Sequence, residues 1–180
     1  VPSKTLADLG LTAQGGREAT ITGLAVDSRL IKPGYLFAAL PGSRTHGAEF
    51  IEYALRMEAS TILTDRAGAE MAKAELAASK VALVVAEEPR QALAYAAALW
   101  FGRQPETVVA VTGTSGKTSV ATFTRQIWQA LGYPAANLGT MGILGDFQGP
   151  LAHTTPEPIT LHRVLSDMTA AGITHAAMEA

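Results

Sequence analysis

The chain has no cysteine. A disulfide framework and a thiolate metal site are therefore excluded, and a reducing cytoplasm is the simple expectation. Basic clusters are missing as well: 14 Lys and Arg are scattered against 16 Asp and Glu, for a formal net charge of −2. That balance argues against a nucleic-acid partner, which needs a concentrated basic face. No long uncharged apolar segment occurs, so no membrane insertion is expected. The four histidines, His46, His153, His162 and His175, are too dispersed for metal-ligand spacing. The sequence shows no signal peptide, internal repeat or low-complexity tract. Apolar side chains are plentiful: 48% of the 180 residues are hydrophobic, enough to core one large or two small domains.

The chain is organised around Val108-Val109-Ala110-Val111-Thr112-Gly113-Thr114-Ser115-Gly116-Lys117-Thr118-Ser119. A β-branched apolar run meets a glycine-bracketed turn. Val120, Phe123, Ile127 and Leu131 then recur every three or four positions, which predicts strand, tight loop and a helix over 119–131. Such a loop turns backbone N–H groups into a concavity, and anions near a helix start gain about 0.3–1 kcal/mol. Lys117 adds a full charge for β- and γ-phosphates, and the Thr118 hydroxyl is placed for Mg²⁺. The pattern G-x-x-x-x-G-K-[ST] lacks its first glycine, since Val111 stands there. Phosphate binding by Gly113, Thr114, Ser115, Gly116, Lys117, Thr118 and Ser119, with ATP as ligand, is the expectation. The competing reading is an ordinary strand-to-helix turn that needed two glycines.

Upstream, the pattern predicts a short helix over 1–10 capped by Ser3, with Leu6 and Leu9 inward, then a strand over 19–25 leading into Val26-Asp27-Ser28-Arg29. A turn at Lys32-Pro33-Gly34 precedes a strand over 35–40, closed by Pro41-Gly42. A polar loop, Ser43-Arg44-Thr45-His46-Gly47, leads to a helix over 49–57. Strands over 61–64 and 81–85 enclose a helix over 67–78, and an alanine-rich helix over 91–101 follows Pro89. The break at Gly102-Arg103-Gln104-Pro105 sets the expected domain boundary, with an α/β domain over 1–104 and a second over 105–180. The second domain continues with a short strand through Leu138 and a glycine-punctuated excursion over 145–150. After it come a helix from about 158 to 171, striped by Ile159, Leu161, Val164, Leu165 and Met168, and a buried strand over 174–180. The expected fold class is α/β: a small α/β domain followed by the beginning of a P-loop parallel sheet. A chain stopping inside an apolar strand, where an unpaired sheet edge would be exposed, reads as a fragment of a longer protein. Trp100 and Trp128 fall on helical stripes and are expected in the core.

Glu179 closes the last strand, at the sheet edge where ligands of open parallel sheets gather. There it can share Mg²⁺ with Thr118, or it is an exposed acid at a terminus. In His153-Thr154-Thr155-Pro156-Glu157, Thr154 and Glu157 have capping-box spacing, and Thr155 before Pro156 would serve equally as an N-cap. The same hydroxyls at a helix start can hold a phosphate or carboxylate. Asp27-Ser28-Arg29 and Ser43–Gly47 are polar strand exits and, at most, candidate anion contacts.

Together these pieces resemble the Mur ligases of peptidoglycan synthesis. The motifs are Val26-Asp27-Ser28-Arg29; Pro33-Gly34-x-Leu36-Phe37-x-Ala39-Leu40-x-Gly42; His46-Gly47-x-x-Phe50-Ile51; and the shortened P-loop Thr112-Gly113-Thr114-x-Gly116-Lys117-Thr118. Gly139-Thr140-x-Gly142, Thr154-Thr155-Pro156 and Ala177-Met178-Glu179-Ala180 favour the MurE branch over MurF. The resemblance implies an ATP- and Mg²⁺-dependent amide ligase that adds a diamino acid, meso-diaminopimelate or lysine, to UDP-N-acetylmuramoyl-L-alanyl-D-glutamate through an acyl phosphate. It implies Lys117 on the ATP phosphates and Thr118 and Glu179 towards Mg²⁺. Val26, Ser28, Ser43, Arg44 and Thr45 would hold the uridine diphosphate end in the 1–104 domain. His153, Thr154 and Thr155 would face the muramoyl peptide, although His153 departs from the family's usual asparagine. It further implies a cytoplasmic monomer whose remaining catalytic parts, a carbamylated lysine among them, lie beyond Ala180, so that these residues alone do not turn over. The alternatives are a MurF-like or folylpolyglutamate synthase-like ligase and a non-catalytic P-loop nucleotide-binding module.

Overall fold

Strands and helices largely alternate from Tyr35 onwards in the computed structural model, which describes residues 2–180. Contacts divide it into two compact units, Val1–Trp100 and Phe101–Ala180. The first contains β1 (Lys4–Thr5), β2 (Thr20–Ile21), β3 (Gly23–Ala25), β4 (Tyr35–Ala39), α1 (Ile51–Arg56), β5 (Thr61–Thr64), α2 (Arg66–Met71), α3 (Lys73–Ala77) and β6 (Ala82–Val85), and α4 (Pro89–Phe101) follows. Strands β3, β4, β5 and β6 lie side by side in chain order, all parallel. A parallel sheet covered on both faces calls for continuous apolar runs, and Leu36-Phe37-Ala38-Ala39 is fully buried. Phe37, Ile51 and Ile62 anchor one core cluster, and Leu36, Leu63 and Leu93 are buried as well. Each such side chain is worth about 1.5–3 kcal/mol removed from water.

The second unit holds β7 (Thr107–Val111), α5 (Lys117–Ala130), β8 (Ala135–Gly139), β9 (Gly142–Gly145), α6 (Pro158–Ala170) and β10 (His175–Glu179). Its sheet order is β7-β10-β8-β9. The first three strands are parallel, and β9 runs back along β8 as a hairpin. Leu138, Ile143, Val164, Leu165 and Met168 share its core. The α/β class with parallel sheets is therefore as expected, and three parallel strands end at one edge.

Several local expectations fail. No helix opens the chain: Lys4 and Thr5 pair antiparallel with Ile21 and Thr20, and only a 3-10 turn, Ala7–Leu9, follows. Asp8 accepts from the Thr5 N–H and hydroxyl, and Gly10 at φ +67° stops the turn. Leu6 and Leu9 do point inward; Val1 lies outside the described residues. The 19–25 strand is split at Thr22 between two sheets. The 67–78 helix breaks at Ala72, where φ is −104° and ψ 25°, and the helix after Gly47 begins as a 3-10 turn, Gly47–Phe50. The antiparallel strand β9, Gly142–Gly145, comes just before the 145–150 excursion and was not among the expected elements.

The last strand exposes no edge, because β10 is the central partner of both β7 and β8. The stripe that predicted α5 is also not a core stripe: Val120, Phe123, Ile127 and Leu131 are exposed, while Ala121 is buried. The side that meets the sheet carries Ala121 with Thr118 and Arg125, whose side chains hydrogen-bond to Glu179 and Asn137, and Trp128 against His175. Trp100 and Trp128 are half-buried rather than core. Among the described residues no helix is long and apolar enough to cross a membrane.

Candidate functional site

At the edge where β7, β8 and β10 end, each strand delivers a different part. β7 runs into the exposed loop Thr112–Ser115, closed by Gly116. Gly116 sits at φ +82° and caps α5, a left-handed conformation that favours glycine. The first amides of α5 have no carbonyl one turn back, so those of Lys117, Thr118 and Ser119 remain available at the positive end of the helix. Lys117 Nζ donates to the carbonyl of Gly113 at 2.7 Å, which holds the ammonium over its own loop.

β10 delivers Glu179, only 2% exposed. The Thr118 hydroxyl donates to Oε2 at 3.0 Å and the Thr140 N–H to Oε1 at 3.1 Å. The Thr140 hydroxyl also donates to Oε2, at 3.3 Å. A buried carboxylate requires such donors, since taking it from water uncompensated is costly. It is not the exposed terminal acid that was the alternative. β8 delivers Gly139, where a Cβ would stand 1.8 Å from Glu179 Oε1; only hydrogen fits beside the carboxylate.

Thr140 also links Glu179 to the segment before α6, its hydroxyl lying 3.2 Å from that of Thr154. The Thr155 hydroxyl donates to the Glu179 carbonyl at 3.4 Å. Neither threonine caps α6. Glu157 does so itself, its carboxylate accepting from the Ile159 and Thr160 N–H groups at 2.7 and 2.8 Å, ahead of Pro158 in the first turn. Both hydroxyls are thereby free to turn towards the strand edge. His153 is exposed and forms no side-chain hydrogen bond among the described residues. Thr118 and Thr155 thus meet Glu179 directly and Thr154 reaches it through Thr140, a residue of the Gly139-Thr140-x-Gly142 motif that was not among the expected site residues.

In the first unit, Val26 and Ser28 follow β3 while Ser43, Arg44 and Thr45 follow β4. These neighbouring parallel strands place both groups past the same carboxyl edge. Asp27 caps the 3-10 turn Ser28–Leu30, accepting the Arg29 N–H at 3.0 Å. The Arg29 side chain folds onto the same carboxylate, Nε to Oδ1 at 2.9 Å. Those side-chain and backbone hydrogen bonds hold the Asp27 carboxyl below the usual carboxylate range. Arg29 is therefore committed to Asp27, whereas Ser43, Arg44 and Thr45 are exposed at a loop tip. Past β5 and β6 a cavity of about 460 Å³ opens, lined by Asp65, Arg66, Ala67, Val85, Ala86 and Glu87.

Two family models match the chain. "Mur ligase family, catalytic domain" matches residues 20–101, and "Mur ligase middle domain" matches residues 111–180. The chain belongs to the Mur ligase family. It is 49% identical over 164 residues to a UDP-N-acetylmuramoyl-L-alanyl-D-glutamate--2,6-diaminopimelate ligase of Brucella melitensis, covering 91% of this chain and 32% of that protein. A solved structure of a ligase with the same name superposes at a TM-score of 0.76 with 23% identity, over 99% of this chain and 36% of that one. A MurF ligase from Thermotoga maritima, solved in complex with ADP, superposes at 0.53 with 23% identity, over 87% and 31%. At that identity the two structures bear on the fold. The chain spans about a third of the length of the Brucella relative.

Proposed function

We propose that this Mur ligase chain carries the ATP-binding and UDP-substrate-binding parts of a MurE-type ligase. That enzyme joins a diamino acid to the glutamate of UDP-N-acetylmuramoyl-L-alanyl-D-glutamate. The observation that carries the reading is the Glu179 carboxylate, buried and hydrogen-bonded to Thr118 at the start of the P-loop helix. The name of the Brucella relative supports diaminopimelate as the amine. The 1–104 segment takes the uridine diphosphate end at Val26, Ser28, Ser43, Arg44 and Thr45, and the 105–180 segment takes ATP at Gly113–Ser119.

Chemically, a carboxylate is a poor electrophile. Transfer of the γ-phosphoryl group of ATP to the glutamate side-chain oxygen releases ADP and leaves an acyl phosphate. The amine attacks the carbonyl carbon and loses a proton, and inorganic phosphate departs with the C–O bonding pair. The protein's part is to position reactants and neutralise charge. Lys117, swung from the Gly113 carbonyl, sits on the phosphates beside the free amides of α5. Thr154 and Thr155 face the muramoyl peptide. The oxygen donors of Thr118 and Glu179 fit Mg²⁺, which takes one or two carboxylates and keeps waters and phosphate oxygens as its other ligands. When bound there, Mg²⁺ screens the triphosphate charge.

Calorimetric titration of the 180-residue chain tests the reading. Mg·ATP and UDP-N-acetylmuramoyl-dipeptide should each bind, and Lys117→Ala should lose the first heat while keeping the second. A chain that binds neither ligand overturns the assignment.

A further inference from the structure

The loop after β4 is built more firmly than a polar strand exit needs to be. Pro41 and His46 form an antiparallel bridge, the Gly42 N–H donates to the Thr45 carbonyl at 3.1 Å, and the Gly47 N–H donates to the Leu40 carbonyl at 2.8 Å. Ser43 and Arg44 are left at the tip of a closed turn. Both glycines are required for the closure: a Cβ on Gly42 would stand 2.6 Å from the Thr45 carbonyl oxygen, and one on Gly47 2.8 Å from the Leu40 nitrogen.

The base of this turn is tied to the next strand by His46. Its Nδ1 accepts the Ala48 N–H at 3.0 Å, so Nδ1 carries no proton. In the neutral ring the proton is then on Nε2, which faces Asp65 Oδ1 at 3.1 Å and donates to it. Asp65 is itself fixed as the cap of α2, the same Oδ1 accepting the Gly68 N–H at 2.7 Å. Close packing completes the arrangement, since a Cβ on Gly68 would meet His46 Cε1 at 2.6 Å. Asp65 also lines the cavity past β5 and β6. One imidazole therefore joins the root of the Ser43–Thr45 turn to the exit of β5, and both its nitrogens are used.

We propose that His46, held by Asp65, is a positioning residue for uridine diphosphate recognition: it fixes the Ser43-Arg44-Thr45 turn in its binding conformation without touching the ligand. The inference rests on the proposed role of that turn. It separates two contributions, the Nδ1 cap on Ala48 that shapes the turn and the Nε2 bridge that anchors it to β5. An Asn at position 46 reproduces the first with its side-chain oxygen and is too short for the second, whereas Ala reproduces neither. Pre-organising a loop removes ordering entropy from binding.

The test titrates the 180-residue chain and its His46→Ala, His46→Asn and Asp65→Ser variants with UDP-N-acetylmuramic acid and, separately, with Mg·ATP. Amide hydrogen exchange of residues 42–47 is read alongside. His46→Ala should weaken UDP-sugar binding roughly tenfold and speed exchange in the turn, with Mg·ATP affinity unchanged. His46→Asn should recover most of the turn's protection and an intermediate affinity. Asp65→Ser, whose hydroxyl can still cap α2 but is too short to reach His46 Nε2, should behave like a milder His46→Ala. UDP-sugar affinity equal to wild type in a folded His46→Ala chain overturns the inference. If His46→Ala fails to fold, Asp65→Ser decides by the same readings. Failure of the unaltered chain to bind the UDP-sugar instead overturns the reading of the turn as a uridine diphosphate site, and the positioning role with it.

Discussion

Replacing Gly139 with Ala probes the site without removing any functional group. The new Cβ would stand 1.8 Å from Glu179 Oε1, 2.4 Å from Cδ and 2.8 Å from Cγ, where ordinary contact begins near 3.4 Å. Gly139 does not have a positive φ, so its backbone tolerates alanine, and within a strand Ala is favoured over Gly by roughly 0.5–1 kcal/mol. Any loss of stability therefore comes from the displaced carboxylate. Moving it breaks at least the bonds from the Thr118 hydroxyl and the Thr140 N–H. At about 1.5–3 kcal/mol per bond to a charged acceptor, offset by the strand preference, a net cost of about 3 kcal/mol is expected. Urea unfolding of the 180-residue chain, followed by tryptophan fluorescence, measures it. The decisive comparison is the same substitution in a Glu179→Ala background. With the carboxylate gone, Gly139→Ala should be neutral or slightly stabilising, giving a coupling of about 3–4 kcal/mol between the two positions. Equal costs in both backgrounds would refute the placement of Glu179 beside Gly139, and with it the hub of the candidate site.

Lys117→Ala should leave the unfolding curve nearly unchanged, because the exposed ammonium contacts only its own loop, while Mg·ATP binding falls below detection in calorimetry. Glu179→Gln preserves shape and should retain ATP binding without metal but lose most of the gain on adding Mg²⁺, read by titration with and without a chelator. Asp146 accepts the Ala135 N–H at 2.9 Å and the Gln129 amide at 2.9 Å, and these bonds hold its carboxyl below the usual range. A depressed carboxyl contributes stability that is complete above the unfolded value of about 3.9 and fades as pH falls through the folded one. Asp146→Asn should therefore be less stable than wild type at pH 7, and the gap should close in acid, as measured by urea unfolding at stepped pH. Because the chain covers about a third of its Brucella relative, the 180 residues incubated with both substrates and ATP should yield no amide by mass spectrometry. Product would place the whole reaction within them.

The legible parts of this chain were those where local chemistry and tertiary role coincide. Gly116-Lys117-Thr118 after a β-branched run defines a strand, a loop and a helix in any context. The apolar strands over 35–40 and 61–64 are buried on both faces and read accordingly. The stripe on α5 established the helix but not which side meets the sheet: Ala121 is buried, and the larger Phe123 and Ile127 are exposed. The cap of α6 was misjudged for a related reason. Glu157 satisfies the first amides by itself, so the two threonines before it were free for other work. Thr140 and His46 could not be assigned from neighbours in sequence, because Glu179 lies 39 positions from Thr140 and Asp65 lies 19 from His46. Glycines adjoining each, Gly139 and Gly47, were the available signal, since each marks a place where a side chain would collide.

The position of β10 has a consequence for how the second unit comes into being. β7 and β8 are not neighbours; they are joined only through a strand made after both, with His175 paired to Thr107 and to Ala135. Until that strand arrives, β7 has no ladder to either of them, and β8 has only the hairpin with β9. Closing the long loops between these partners costs entropy before any pairing repays it, so such an arrangement forms slowly and nearly all at once. The same insertion that zips the sheet carries Glu179 to the start of α5, so on the proposed reading the Mg²⁺-dependent share of nucleotide affinity is expected only once β10 is in place. Amide protection in β7 and β10 should accordingly be gained together during refolding, with the gain in nucleotide affinity on adding Mg²⁺ appearing at the same moment.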